Sequence, residues 1–599
     1  MFKSRSLSSA RSSPHTGTAF PQGRSFWIVD GRAYDFTEWM RRHPGGSMWF
    51  KQTEGRDISA LLHTYHREPA RLRKILEKYE IQELAGKNVR PKITVPPRSD
   101  RVRSMMSFPP PMVPPTAPPL ADGRPPAGDS HAPITQQDIL PKLGVPPFLL
   151  PPDFDARTDL PKLDYRDEGS LLAEIRGRVN ERFPKKRLRR YDRAFDAVTW
   201  AVGLSHVATL ALLVVGLIPS WAFVVIMVVT RTSLAGAGHY HLHRKWKQPR
   251  GQRSFSVPIG KALFDINYVG TSLIGSDGHV LLHHPYLGSG ADVKKTFFDA
   301  MLRLHPALRV PGYTLHKLGI CLTGLSLRGR EIFKFERARQ PQGKGAPGPD
   351  QTRTDFWIIR AWILVEFAVC LATGYIVAWL VQFFLTLWFN TFLVVASHDF
   401  EEAATAEELA RIPEPLRDDW AANQICLSYD LSVVGNRWID VWLSAGLSPH
   451  RVHHVLPWQR SGFANLAVET TVREVCAEAG IAWERPRSLI FNRFPSVIKH
   501  YLLCPARPAP PPPEFAMSVM PPPGGAPYMQ PAVQGAFPVP PPPPGALPAQ
   551  HPAQGPLPMQ TPPAGALPNY DPALPPPTVR RQFGELVRYA YDGLRGVGV

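Results

Sequence analysis

The chain has 599 residues, with 69 Lys and Arg against 50 Asp and Glu for a formal charge of +19. Charge-free apolar runs near positions 200 and 380 exclude a purely soluble enzyme. Five scattered cysteines (Cys321, Cys370, Cys426, Cys476, Cys504), odd in number and without a CxxC pair, suggest neither a disulfide framework nor a thiolate zinc site.

Residues 1–23 are rich in Ser and Arg and lack the apolar core and small-residue cleavage site of a secretory signal, so they read as a disordered leader. Residues 24–85 mix charge with aromatic side chains and contain little proline, enough for one small globular module. The segment 86–152 is rich in the chain's 67 prolines, which fix φ and remove backbone donors; it reads as an extended linker, and 505–578 repeats the pattern as a disordered tail. Between them lies a membrane body at 153–504. The closing stretch 579–599 carries Val579, Phe583, Leu586, Val587, Ala590 and Leu594 on one helical stripe, the pattern of an amphipathic interfacial helix, with a frayed tail as the alternative.

No formal charge occurs from Ala197 to Thr230, a run well beyond the roughly 20 residues that one crossing needs. Two spans follow, with the turn at Pro219-Ser220. Basic clusters stand at both ends, Lys185-Lys186-Arg187 and Arg244-Lys245, which puts both ends on the cytosolic side. A second run, Phe356 to Ser397, is long enough for another hairpin turning at Gly374, although Arg360 and Glu366 interrupt its first half; Arg360 is expected to snorkel to the interface. About four spans in two hairpins would leave 231–355 and 398–504 on one face. The positive charge flanks these spans, so bilayer orientation and anionic lipid account for it, and nucleic acid is not an expected partner.

Three histidine clusters stand on that face: His239-Tyr-His-Leu-His243, His279-Val-Leu-Leu-His283-His284 and His450-Arg-Val-His453-His454. Spacings of three and four place side chains on one side of a helix, so each cluster aims two or three imidazoles at one spot, while His241 points elsewhere. His398, at the end of the last span, joins them. His239, His243, His279, His283, His284, His398, His450, His453 and His454 are too many for one metal and suit two. No Glu-x-x-His motif lies within the spans, which argues against a di-iron carboxylate bundle. His206, His305 and His316 fall outside the clusters and read as one buried span residue and two loop residues.

These clusters resemble the histidine boxes of integral-membrane fatty acid desaturases. Asp164-Tyr165-Arg166-Asp167 looks like that family's pre-membrane segment, and Trp438-Ile-Asp-Val-Trp442, Gly446-Leu447 and Leu456-Pro457 look like its closing segment. The resemblance implies a mainly α membrane domain holding two non-haem iron ions that activate O₂ against an acyl-CoA or acyl-lipid chain. Two departures stand out. The third box begins with His450 where haem-fused members often begin with Gln, and Val394 occupies the spacing at which acyl-CoA desaturases carry an Asn, with Asn390 further back; the tenth ligand position stays open.

In the small module, His43-Pro44-Gly45-Gly46 follows Trp27-Ile28-Val29-Asp30-Gly31-Arg32-Ala33-Tyr34, and Gly55-Arg-Asp57-Ile-Ser59 precedes Tyr65-His66. Taken alone, His-Pro-Gly-Gly is an ordinary turn. The whole pattern resembles the cytochrome b5 fold, an α+β haem domain with Tyr79-Glu80-Ile81 as its closing strand. The resemblance implies haem b bound by His43 and His66, with His63, one turn earlier, as the competing second ligand. Two axial imidazoles make an electron carrier. Together the two resemblances imply a cytochrome b5-fused desaturase in the endoplasmic reticulum membrane, multi-pass, with haem domain and clusters cytosolic and electrons from an NADH-dependent reductase. A hydroxylase on the same scaffold and a membrane-anchored haem electron-transfer or adaptor protein are the alternatives.

Overall fold

The structure, a computed structural model, describes residues 25–43, 50, 53, 58–82, 163–164, 169–243, 260, 263–269, 279–280, 283–288, 292, 298–323, 353–398, 402–506, 582–584, 586–587 and 589–590. The leader, the proline-rich linker, all but the first two residues of the proline-rich tail, and the positions Pro44-Gly45-Gly46, Gly55, Asp57, Tyr165-Arg166-Asp167 and Asp399 lie outside the described residues.

The small module starts with an antiparallel hairpin, β1 (Trp27–Val29) and β2 (Arg32–Tyr34), in the register Trp27↔Tyr34. Its turn is Asp30-Gly31, both at positive φ, the sequence a two-residue hairpin favours. Helices α1 (Ser59–Tyr65) and α2 (Pro69–Tyr79) follow, the latter opened by a proline whose missing N–H costs nothing at a helix start. Trp27, Val29, Tyr34, Phe36, Phe50 and Leu62 form the core. The closing segment pairs back onto the hairpin, with an antiparallel bridge from Tyr34 to Glu80 and Ile81 N donating to Ala33 O at 2.9 Å.

The body is mainly helical. Ser170 caps α3 (Leu171–Arg182), its hydroxyl accepting from Ala173 N at 3.2 Å. Pro184 then ends that helix direction and opens α4 (Lys185–Val214), which turns at Gly216 and Pro219 into α5 (Ser220–His243). A second hairpin joins α7 (Arg353–Ala372) and α8 (Ile376–Ala396) through Gly374 at φ +80°. Among the described residues, α4, α5 and α8 are long and apolar enough to cross a membrane. Trp200, Leu204, Trp221 and Val377 are each more than 60% exposed on them, a surface suited to lipid rather than water.

Helix α7 forms and pairs with α8, but its charges do not snorkel. Arg360 is buried and its Nη1 donates to Asp265 Oδ2 at 2.8 Å. Glu366, also buried, pairs with Arg231 of α5 and accepts from His206 Nε2 of α4 at 2.9 Å, while His206 Nδ1 lies 2.9 Å from Thr230 Oγ1. A partner within the protein replaces water for each charge, and that removes the need to reach the interface.

Between the hairpins lies α6 (Pro306–Thr323), which contains Pro311. His305 stands exposed just before it, as expected of a loop residue. His316 differs: it is buried on α6, its ring stacked on Tyr589 at 4.4 Å with Nδ1 2.9 Å from Tyr589 O. The loop expected at His316 is helix instead, and that helix runs through Pro311. The described part of 582–590 packs against this helix, with Gln582 Oε1 accepting from His305 N at 2.8 Å. The C-terminal stripe therefore meets protein on one side, while Phe583 and Val587 stay exposed.

Beyond α8 come α9 (Trp420–Cys426), α10 (Arg437–Leu443), α11 (His450–Val455) and α12 (Gly462–Glu478). A short parallel pair joins Leu431–Ser432 to Arg487–Ser488. Trp420, Ile425, Val452, Val455, Val468 and Val472 pack with Leu172 and Ile175 of α3 into a second core. This core holds α11 against the ends of the spans.

Candidate metal centre

His239 and His243 occupy the last turn of α5, one helical turn apart on one side. Close backbone approach fixes where that turn sits. At Gly236, an added Cβ would lie 2.5 Å from Ala445 C, and Gly446 holds φ +86° with Tyr240 Cε2 2.8 Å from where its Cβ would be. The Gly446-Leu447 stretch therefore lies directly on α5, and α11, which follows it, delivers His450, His453 and His454 to the same place. His398 follows the end of α8. His279, His283 and His284 come from the stretch of chain between α5 and α6.

All nine expected imidazoles converge. His239, His243, His279, His284 and His453 form one group whose ligand atoms lie within 4.8 Å of one another, and His283, His398 and His454 form a second. His450 belongs with the second, its Nε2 2.9 Å from His398 Nε2 and 3.1 Å from His454 Nε2. In the first group, His279 Nε2 lies 2.7 Å from His239 Nε2 and 3.1 Å from His284 Nε2. The groups adjoin, with the His284 and His454 rings stacked at 4.3 Å. Separations near 3 Å suit adjacent nitrogens around one ion at metal–nitrogen bonds of about 2 Å.

The outer nitrogens are anchored. His283 Nδ1 lies 2.9 Å from Asp292 Oδ1, His454 Nδ1 2.9 Å from Gln424 Oε1, and His398 Nδ1 2.9 Å from Leu427 O. Each contact makes Nδ1 the protonated nitrogen and turns Nε2 inward, the arrangement of a metal-ligating histidine. Burial first, and then the neighbouring histidines, hold His279, His284 and His454 well below the usual imidazole range, hence neutral as ligands must be. The donor set fits metal ions. His241, on the same helix, is buried against Gly260 and stands outside both groups.

In the small module, His43 and His66 face each other with ring centres 6.0 Å apart. That separation leaves room for one metal ion between the two rings at bonds of about 2 Å. A cavity of about 350 Å³ runs beside them, lined by Phe36, Trp39 and Phe50 of the module and by Lys185, Leu188 and Arg189 of α4. Apolar walls with a basic rim suit a flat apolar cofactor bearing carboxylates. His63 turns away, its Nε2 2.8 Å from Asp30 Oδ2.

Sequence spacing did not reveal the outer partners Asp292 and Gln424, nor Tyr65, whose hydroxyl lies 3.3 Å from His243 Nδ1. Nothing periodic marks them; their role comes from tertiary placement alone.

Comparison with known proteins places two families on the chain. The cytochrome b5-like heme/steroid binding domain family matches residues 15–85, and the fatty acid desaturase family matches 219–486, a stretch that contains all nine histidines. The chain is similar to a cytochrome b5-related protein of Drosophila virilis (32% identity over 62 residues, 10% of this chain and 43% of the relative). It is also similar to delta(5) fatty acid desaturase A of Dictyostelium discoideum (41% over 56 residues, 9% and 12%) and to human fatty acid 2-hydroxylase (42% over 62 residues, 10% and 17%). The chain spans less than half the length of each of these relatives. No solved structure matches it significantly.

Proposed function

We propose that this chain, which carries a cytochrome b5-like domain ahead of a membrane fatty acid desaturase domain, introduces a double bond into a fatty acyl chain. The observation that carries the reading is the convergence of nine imidazoles, eight of them buried and His279 half-buried, into two adjoining groups. Two irons held there would supply, from O₂, an oxidant able to break unactivated alkyl C–H bonds, which side-chain acids and bases cannot do. The overall change balances: the acyl chain gives up two hydrogens, O₂ takes these with two further electrons and two protons, and two waters leave.

The chain's own residues bind, orient and shield. His239, His243, His279, His284 and His453 hold one ion and His283, His398, His450 and His454 the other, while Asp292, Gln424 and the Leu427 carbonyl fix ring orientation. His43 and His66 would hold haem b, which would supply one-electron transfer there. The electrons come from NADH through a separate reductase. The substrate is an acyl-CoA or acyl-lipid, and the chain lies in the endoplasmic reticulum membrane with haem module and clusters facing the cytosol.

Hydroxylation by the same groups is the second reading, motivated by the likeness to a fatty acid 2-hydroxylase. Mass spectrometry of lipids from cells expressing the chain separates the two. Desaturation yields products lighter by two hydrogens, absent from cells expressing the paired variant His453→Ala, His454→Ala; products heavier by one oxygen would establish hydroxylation instead.

A further inference from the structure

The haem module is docked on the membrane body, not merely tethered to it. Arg176 Nη2 of α3 donates to His63 O at 2.5 Å, Arg67 Nη2 donates to Phe183 O at 2.8 Å, and Asn180 Nδ2 donates to Arg67 O at 3.2 Å. Arg67 also bonds the Asn180 side chain, and Lys185 pairs with Glu68. These ties surround the end of α1, where Tyr65 and His66 are consecutive.

Tyr65 is buried, and its ring stacks on that of His243 at 6.1 Å between centres and 9° between planes. Its hydroxyl oxygen lies 3.3 Å from His243 Nδ1. Asp292, Gln424 and the Leu427 carbonyl, which anchor His283, His454 and His398, all belong to the membrane body. The partner of His243 comes from the other module. His66, the next residue, keeps its Nδ1 2.7 Å from Leu62 O, which leaves Nε2 as the nitrogen that faces His43.

We propose that Tyr65 is a positioning residue that couples the two redox sites: it orients His243 by accepting from its Nδ1–H, and it completes a route for electrons from His66 to the near histidine group. The inference rests on the desaturase reading above. The route is short in chemical terms: one peptide unit joins His66 to Tyr65, and one hydrogen bond joins Tyr65 to His243. A single electron leaves ferrous haem, which becomes ferric, and reduces one ferric ion held by His239, His243, His279, His284 and His453. Tyr65 keeps its proton and is not itself oxidised. Bond-connected paths of this kind couple redox sites better than gaps through space, and docking holds this one in register between turnovers.

The test uses the full chain in detergent, loaded with haem and iron and given one electron equivalent of dithionite without O₂, with haem oxidation followed by its Soret band. Tyr65→Phe keeps the ring and the stack and removes only the hydroxyl. It is expected to retain the parent's haem spectrum and iron content, to slow haem oxidation about tenfold, the order seen when the outer partner of a ligand is lost, and to alter the Mössbauer spectrum of the non-haem iron. Tyr65→Leu, which also removes the stack, is expected to be slower still. Rates in Tyr65→Phe equal to the parent's, with an unaltered iron spectrum, would overturn the inference and leave the desaturase reading standing. A parent chain that binds haem but no other iron overturns both.

Discussion

Asp292 shows how much a single outer partner contributes. Its Oδ1 holds His283 Nδ1 at 2.9 Å and its Oδ2 accepts from Gly288 N at 3.0 Å, so one carboxylate fixes both the ring and the loop that carries it. Asp292→Ala frees the ring to turn and removes the negative charge that strengthens its donor nitrogen. Iron affinity of the second group is expected to fall by about 10–100-fold, measured by chelator competition; unchanged affinity would mean that His283 is no ligand. Eight of the nine histidines were legible in the sequence because close spacings repeat in three places, a pattern that needs no tertiary knowledge, and His398, alone at the end of a span, was added on their company. Asp292, Gln424 and Tyr65 were not legible, since each reaches its histidine across a turn or from a distant element. The choice between His63 and His66 also needed geometry: both lie near the end of one helical pair, and only the contact of His63 with Asp30 turns it away from His43.

At the scale of elements, α5 and the approach to α11 must lie almost in backbone contact for the third cluster to meet the first. Gly446 makes this possible twice over, through its positive φ and through the space its missing Cβ leaves for Tyr240. Gly446→Ala is expected to destabilise the body by about 2 kcal/mol from backbone strain alone, with more from the displaced Tyr240 ring. Thermal unfolding of the purified chain measures the loss, and an unchanged midpoint would show that the approach is looser than the structure has it. The hairpins themselves were readable: Pro219-Ser220 and Gly374 turn where the apolar runs needed a turn. What one dimension could not give was the fate of Arg360, Glu366 and His316. Pairing of Glu366 with Arg231 and His206 draws on three helices, and a sequence read element by element offers such charges only water or the interface. For His316, the stacking partner Tyr589 is hundreds of positions away.

For the whole molecule, a small module at 24–85 and a membrane body at 153–504 were expected, and two families match the chain, one over residues 15–85 and the other over 219–486. The docked arrangement was not foreseeable, because a proline-rich connection between modules carries no signal about where its ends come to rest. Arg176, Asn180 and Lys185 appear in sequence as ordinary polar positions on basic helices; only assembly shows that they grip the helix ending in Tyr65. These contacts set the small module against the histidine groups, where a flexible tether would only raise its local concentration. The account therefore stands on what the nine rings hold. Elemental analysis of the purified full-length chain, set against its haem absorbance, answers that directly. The account expects about two non-haem irons for each haem, in line with a donor set too large for one ion; a chain whose iron is all in its haem would contradict it.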